Sequence, residues 1–308
     1  MFIDIAANLT DEMFDGVYHG KPRHLSDRRE VFLRALSAGC TQMVVLAGSL
    51  SDAEKCAEIC RELDPDGRAL YTTIGVHPTR CDTIASLSAE DLEQRFTSFI
   101  HATGETRVVA IGELGLDYDR LQFCDKAVQT RFFELQLRVA SKFGLPLLLH
   151  LRNAFDDFVQ IMERNKSSWV NSGGVVHSFT GTRTEMTKLV DMGFYIGLNG
   201  CSLRDVHLLT EVIPNIPEDR IIFETDAPYC DIRPTHSSWK FLLDQKSVAT
   251  CKPEKWQAGM LVKGRNEPAC IFQVAQVVAN VRRVELGGLC NAVEINTRRL
   301  FRKLARIV

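Results

Sequence analysis

Short apolar runs recur along the chain at residues 1–8, 42–48, 70–77, 108–116, 146–150, 174–179, 194–199 and 220–226. They are too short for helices and are bounded by polar or turn-forming residues, which marks them as strands. Most are apolar throughout rather than alternating, the pattern of strands buried on both faces of a parallel sheet. Amphipathic or charged stretches follow them, such as residues 28–39 and 51–63, the latter opened by a Ser-x-x-Glu capping box at Ser51 and Glu54. Strand alternating with helix over eight units predicts an α/β fold, a closed (β/α)₈ TIM barrel. A doubly wound sheet would open with a glycine-rich phosphate turn, and Ala6-Ala7-Asn8-Leu9-Thr10 contains no glycine.

After the eighth run, residues 229–264 are rich in Pro, Ser, Lys and Trp and are expected to form a long, functional or lid-like loop. Two helices are expected to finish the chain, over residues 267–284 and 289–306. The last is basic and amphipathic, docked by Leu300, Phe301 and Leu304 with a solvated arginine face, and a DNA-tracking face is the lesser alternative. Residues 1–308 are therefore expected to be one barrel domain.

Composition narrows the function without naming it. The 308 residues are 45% hydrophobic and 25% charged, as in an ordinary globular protein with a large core. No apolar run reaches the roughly 18 residues needed to span a bilayer. The start, Met1-Phe2-Ile3-Asp4, has neither a basic nor an apolar leader region. A chain with no membrane association, favoured as a monomer, is expected. Lys plus Arg is 37 against 39 Asp plus Glu, a net charge of −2, so any phosphate recognition must be local. Ten scattered cysteines without zinc-finger spacing point to reduced thiols in a cytoplasmic or nuclear compartment.

In a (β/α)₈ barrel, reactive side chains come from the C-terminal ends of different strands. Here those ends read Gly75-Val76-His77-Pro78, Gly112-Glu113-Leu114-Gly115-Leu116-Asp117, Leu149-His150, Val176-His177-Ser178 and Glu224-Thr225-Asp226. Glu113, His150, His177 and Asp226 would converge on one mouth, and mixed imidazole and carboxylate donors suit a divalent metal. A lone strand-end histidine is more often a satisfied, half-buried residue than a ligand. Two histidines and two carboxylates at one end reverse that, because a desolvated charge must be paired or coordinated. His77 fits either a turn cap or a functional contact. Asp4 lies within the first strand and could hold a backbone turn, while Asp117 could cap the following loop. His19, His24, His101 and His207 are expected to be exposed.

The ordered motifs Phe2-Ile3-Asp4-Ile5-Ala6-Ala7-Asn8-Leu9-Thr10, Gly75-Val76-His77-Pro78, Ala110-Ile111-Gly112-Glu113-Leu114-Gly115-Leu116-Asp117, His177-Ser178-Phe179-Thr180-Gly181-Thr182, Glu224-Thr225-Asp226-Ala227-Pro228 and Arg265-Asn266-Glu267-Pro268 resemble the TatD family of metal-dependent deoxyribonucleases. The likeness covers almost the whole chain. Segments such as Phe14-Asp15-Gly16-Val17-Tyr18-His19-Gly20 and Asn199-Gly200-Cys201-Ser202-Leu203 are most similar to its eukaryotic branch. The resemblance implies a barrel hydrolase of DNA phosphodiester bonds, often a 3′→5′ exonuclease. It also implies Glu113 shared between two metal ions, with His150, His177 and Asp226 as further ligands.

Many barrel hydrolases place His-x-His at the end of strand one, where this chain has Ala6 and Asn8. Alanine cannot coordinate and asparagine offers only a neutral carbonyl, so one ion is expected to be held tightly and a second more weakly. Mg²⁺ or Mn²⁺ is favoured, with Zn²⁺ as the alternative. Asp226 is expected to act as the proton acceptor, with Glu113 also catalytic and Glu224 the competitor, because residues two apart share a strand face. His77, Arg152 and Arg265 are the candidate phosphate contacts; for Arg152 the competing expectation is an ion pair with Asp156. A barrel amidohydrolase acting on C–N bonds of a small cyclic substrate is the rival enzyme class, and a catalytically dead scaffold the third.

Overall fold

Each of the apolar runs overlaps a strand. The computed structural model describes residues 1–242 and 249–305. Its barrel strands are β1 (Phe2–Ala7), β2 (Cys40–Val45), β3 (Leu70–Ile74), β4 (Val108–Asp117), β5 (Leu147–Arg152), β6 (Gly174–Val176), β7 (Tyr195–Leu198) and β8 (Ile221–Phe223). They pair in sequence order, all parallel. Between β8 and β1 the ladder is reduced to a parallel bridge from Ala7 to Ala227, with Asp226 N–H donating to Ala6 O at 2.8 Å. The barrel is therefore joined at its C-terminal mouth.

Strand alternation separates two apolar clusters. Ile3, Ile5, Val44, Val109, Leu148, Val175 and Ile222 fill the interior, while Met43, Val45, Ile111, Leu149, Ile196 and Phe223 join the cluster that includes the buried helix faces. Leu300, Phe301 and Leu304 belong to the interior cluster. The amide of Ala305 donates to the Tyr71 hydroxyl at 3.0 Å, and Gln42 Nε2 donates to Ala305 O at 2.9 Å. Gln42 and Tyr71 lie near the starts of their strands, so the C-terminal segment plugs the lower end and leaves the upper end for a site.

Helices α1 (Arg28–Ser37), α2 (Leu50–Leu63), α3 (Ala89–Thr103), α4 (Lys126–Ala140), α5 (Phe155–Arg164) and α6 (Arg183–Asp191) follow the first six strands. The cap of α2 is Ser49, which accepts from Asp52 N–H, rather than the expected Ser51 and Glu54, which lie inside the helix. Both registers carry a Ser-x-x-acid pattern, and the structure uses the earlier one. Pro214 and Pro217 break the connection after β7 into short turns including Leu208–Val212 and Glu218–Arg220. The final helices are α7 (Ile271–Arg282) and α8 (Leu286–Leu300). The latter starts before residue 289 because the Glu285 carboxylate caps the amides of Gly287 and Gly288. It ends before the tail that plugs the barrel, and Arg306 of the expected helix lies outside the described residues.

The loop expected over residues 229–264 contains a small parallel pair, Thr250–Cys251 with Leu261–Val262; residues 243–248 lie outside the described residues. Trp256 fastens it to the loop after β1, donating to Asp27 Oδ2 at 3.0 Å and stacking on His24. His24 is thus half-buried rather than exposed. Among the described residues, no helix is long and apolar enough to cross a membrane.

Asp4 compensates for the short β8. Its Oδ1 accepts the amides of Ala6 at 3.1 Å and Thr225 at 2.9 Å, and its Oδ2 accepts the Thr225 hydroxyl. Burial outweighs these bonds and pushes its carboxyl up to about 7 from an ordinary 3.8. Between those values the unfolded chain releases a proton that the folded chain retains, so this group's contribution to stability falls as pH rises through that window. An asparagine in its place would keep one acceptor oxygen and carry no charge at any pH. Urea unfolding of Asp4→Asn is expected to lose less stability than wild type between about pH 4 and pH 7, the window just described; equal losses would show that Asp4 titrates alike in the folded and unfolded states.

Candidate metal centre

Four side chains converge at the upper end of adjacent strands. Glu113 Oε1 on β4 lies 2.6 Å from His150 Nδ1 on β5, 2.7 Å from His177 Nε2 after β6 and 3.5 Å from His77 Nε2 after β3. The two nearer imidazole nitrogens are themselves 3.4 Å apart. His77, Glu113 and His150 form a set whose donor atoms all lie within 4.8 Å of one another. His77, expected as a phosphate contact, thus stands among the side chains that could hold a metal ion. Its Nδ1 meets the hydroxyl and the amide of Thr79, so it also caps the turn that Pro78 opens.

A further layer orients these rings. Asp117 Oδ2 lies 3.3 Å from His150 Nε2, while Oδ1 caps the Asp119 amide, so this residue holds both a turn and a ring. Glu224 Oε1 accepts from Ser178 N–H at 2.6 Å and Asn199 Nδ2 at 2.9 Å, and stands 3.6 Å from His177 Nδ1. Such carboxylate-to-imidazole contacts are the usual support for metal-ligating histidines. Ser178, at φ 49°, lies in the left-handed region that a serine rarely occupies, beside His177.

The electrostatics ask for a cation. Burial would push the Glu113 carboxyl up, but the facing His177 and His77 and the bonds from His150 and His177 hold it well below its usual range. Burial would pull His150 and His177 down. Bonds to Asp117 and Glu113 raise the first, and Glu113 with Glu224 raises the second well above its ordinary value. Burial dominates at His77 and lowers it to about 3, leaving a neutral ring. Among the described residues, Glu224 Oε2 is buried without a hydrogen-bond partner, and His150 Nε2 and His177 Nδ1 have only the long contacts to Asp117 and Glu224. Crowded imidazole nitrogens that face one carboxylate oxygen and tend to take up protons fit a divalent cation in the protons' place.

Asp226 stands beside this cluster rather than inside the closest set. Strand β8 ends at Phe223, and Asp226 has φ 53°, so the alternation that would align it with Glu224 no longer applies. Its Oδ1 accepts from Asn8 Nδ2 at 2.9 Å and its Oδ2 from the Cys230 thiol at 3.3 Å. Burial, opposed by His177 and reinforced by Glu224 and Glu113, raises its carboxyl to about 6. Asn8 thus positions Asp226, and Ala6 is buried, so strand one contributes no imidazole.

Of the arginines, Arg152 sits in a cleft of about 270 Å³ with Asp119, Asn153, Thr180 and Gly181. Its guanidinium donates to the Thr180 hydroxyl and reaches Ser178 O at 3.4 Å; among the described residues it makes no ion pair with Asp156 or any other carboxylate. Arg265 behaves differently. It is fully buried, bonded to Asp27 through both terminal nitrogens at 2.6 Å and to Glu267 at 2.8 Å. With its charge consumed by two carboxylates, Arg265 is not placed to receive phosphate; it ties the loop after β1 to the segment leading into α7.

The chain is similar to known proteins over nearly its full length. The family described as TatD related DNase matches residues 3–302. A protein named deoxyribonuclease Tat-D from Schizosaccharomyces pombe is 36% identical over 305 residues, covering 98% of this chain and 96% of that one. A protein named 3′-5′ ssDNA/RNA exonuclease TatD from Edwardsiella piscicida is 32% identical over 307 residues, covering 97% and 99%. The crystal structure of a hydrolase TatD family protein from Entamoeba histolytica has a TM-score of 0.90 at 36% identity, covering 97% of each chain.

Proposed function

This chain belongs to the TatD-related DNase family, and on that premise we propose that it hydrolyses DNA phosphodiester bonds with a bound divalent metal, removing nucleotides in the 3′→5′ direction. The observation that carries the reading is the convergence of three imidazoles on the buried Glu113 carboxylate at the barrel mouth. His77, Glu113, His150 and His177 would hold the tight ion, and Asp226 with the Asn8 carbonyl would complete a weaker, oxygen-rich position. The nitrogen-rich donors suit Mn²⁺ or Zn²⁺, whereas the oxygen-rich position suits Mg²⁺ or Mn²⁺, so Mn²⁺ serves both. A bound cation there would neutralise phosphate charge and acidify water.

The chain's own groups supply the remaining chemistry. Asp226, raised to about 6, is mostly ionised at neutral pH yet basic enough to take a proton from the attacking water. The Asn8 amide fixes one of its oxygens. Arg152, without a carboxylate partner among the described residues, presents its guanidinium to a phosphate of the bound strand. One domain, acting as a monomer, is sufficient for this arrangement.

Two assays test these assignments. A single-stranded oligonucleotide labelled at its 5′ end should yield a ladder of shortening labelled products with Mn²⁺ and none with EDTA; release of short 5′ fragments first would contradict the polarity. Arg152→Gln is expected to raise KM roughly tenfold while leaving kcat near wild type, the loss of one charge-assisted contact. An unchanged KM in steady-state kinetics would remove Arg152 from the substrate path.

A further inference from the structure

Beside Asp226, two half-buried thiols meet across adjacent barrel loops: Cys201, after β7, and Cys230, after β8, have sulfurs 2.8 Å apart. The approach is built into the backbone. A Cβ at Gly200 would come within 1.9 Å of the Cys230 carbonyl oxygen, so glycine is required for the two loops to touch. Each cysteine is also tied to a carboxylate of the site, Cys201 through its backbone and an asparagine, Cys230 through its thiol. The Cys201 amide donates to Asn199 Oδ1 at 2.9 Å, and the same asparagine donates through Nδ2 to Glu224 at 2.9 Å. The Cys230 thiol donates to Asp226 Oδ2 at 3.3 Å.

We propose that Cys201 and Cys230 form a reversible dithiol–disulfide site that takes a hydroperoxide as oxidant and regulates the mouth through Asp226. Only the effect on Asp226 rests on the nuclease reading; the modification site itself does not. The Cys201 thiolate attacks the peroxide O–O bond, forming S–OH and expelling an alkoxide or, from hydrogen peroxide, hydroxide, which takes up the proton that Cys201 released on ionising and leaves as an alcohol or water. Cys230 then attacks that sulfur, the S–S bond forms, and the hydroxyl leaves as water with the Cys230 proton. Two thiols have lost two electrons and the peroxide has gained them. The sulfurs need to close only from 2.8 Å to a bond of about 2.0 Å.

The surroundings favour the first step. The Cys230 contact, together with the charges of Arg152 and Arg204, outweighs burial and the opposing Asp226 carboxylate and holds Cys201 below the usual thiol value. By contrast, Cys40, Cys56, Cys60, Cys81, Cys124 and Cys251 are buried. Disulfide formation removes the S–H that donates to Asp226 Oδ2 and locks two mouth loops together. The proton acceptor then loses one of its two side-chain hydrogen bonds.

The test is to treat the full chain with hydrogen peroxide, block remaining thiols, and map cross-linked peptides by mass spectrometry beside DNA turnover with Mn²⁺. The expected result is a Cys201–Cys230 linked peptide, a chain lighter by two hydrogens, and turnover reduced by roughly tenfold or more, as for a lost bond to a charged group. All three should reverse with dithiothreitol. Cys201→Ser should form no such link and keep its turnover through the same treatment. Oxidation of other cysteines with both of these still alkylatable overturns the site. A link that forms without any change in turnover overturns the regulation. If the reduced protein shows no DNA turnover with any metal, the nuclease reading fails, and the linked peptide alone then decides the dithiol site.

Discussion

Asp226→Asn is expected to lower DNA turnover by roughly 100-fold or more, the scale of losing a general base. The substitution keeps the side chain's shape and one acceptor oxygen for the Asn8 amide, but it removes the site that would accept the proton. Glu224→Gln should cost much less. An amide oxygen can still accept from Ser178 N–H and Asn199 Nδ2, and only the charge near His177 is lost. Steady-state turnover of the two variants at saturating Mn²⁺ separates the roles. Near-normal turnover in Asp226→Asn with a dead Glu224→Gln would make Glu224 the base.

The second large effect falls on stability. Arg265→Met is expected to destabilise the fold by about 3–5 kcal/mol, because it strands buried carboxylates without their cation. Asp27 faces Arg265 with both oxygens, whereas Glu267 retains Arg34 at 2.7 Å. Adding Asp27→Asn should therefore recover part of the loss. Urea unfolding of the single and double variants measures this. A normally stable Arg265→Met protein with weakened DNA binding would instead return this arginine to the phosphate path.

The barrel is legible in the sequence because its strands are buried on both faces and therefore read as short, uninterrupted apolar runs. Element ends are less so. Ser49 and Ser51 offer competing capping registers, and the Gly287–Gly288 pair looks like a helix breaker until Glu285 caps both amides. Within the site, Glu113, His150 and His177 stand out as strand-terminal polar residues. That His77 shares Glu113 with them depends on how neighbouring strands are staggered, which no local pattern encodes. Arg265 reads as a phosphate contact for a related reason: its principal partner, Asp27, is 238 residues away. The expected alignment of Asp226 with Glu224 fails because β8 ends early and the chain turns through a positive φ. The Cys201–Cys230 contact likewise joins loops that only barrel closure brings together.

If the His77, Glu113, His150 and His177 cluster holds a divalent ion, DNA cleavage depends on that ion. This dependence is tested most directly by stripping the protein with a chelator and titrating Mn²⁺ back into wild type and Glu113→Gln while measuring cleavage of single-stranded DNA. The stripped protein should not cleave, and wild type should recover saturably as Mn²⁺ is added. In Glu113→Gln, recovery should be absent or need Mn²⁺ higher by on the order of 100-fold or more, since losing an outer partner of a ligand already costs about 10–100-fold. Full cleavage by stripped protein in excess chelator, or the same Mn²⁺ response in both proteins, would contradict it.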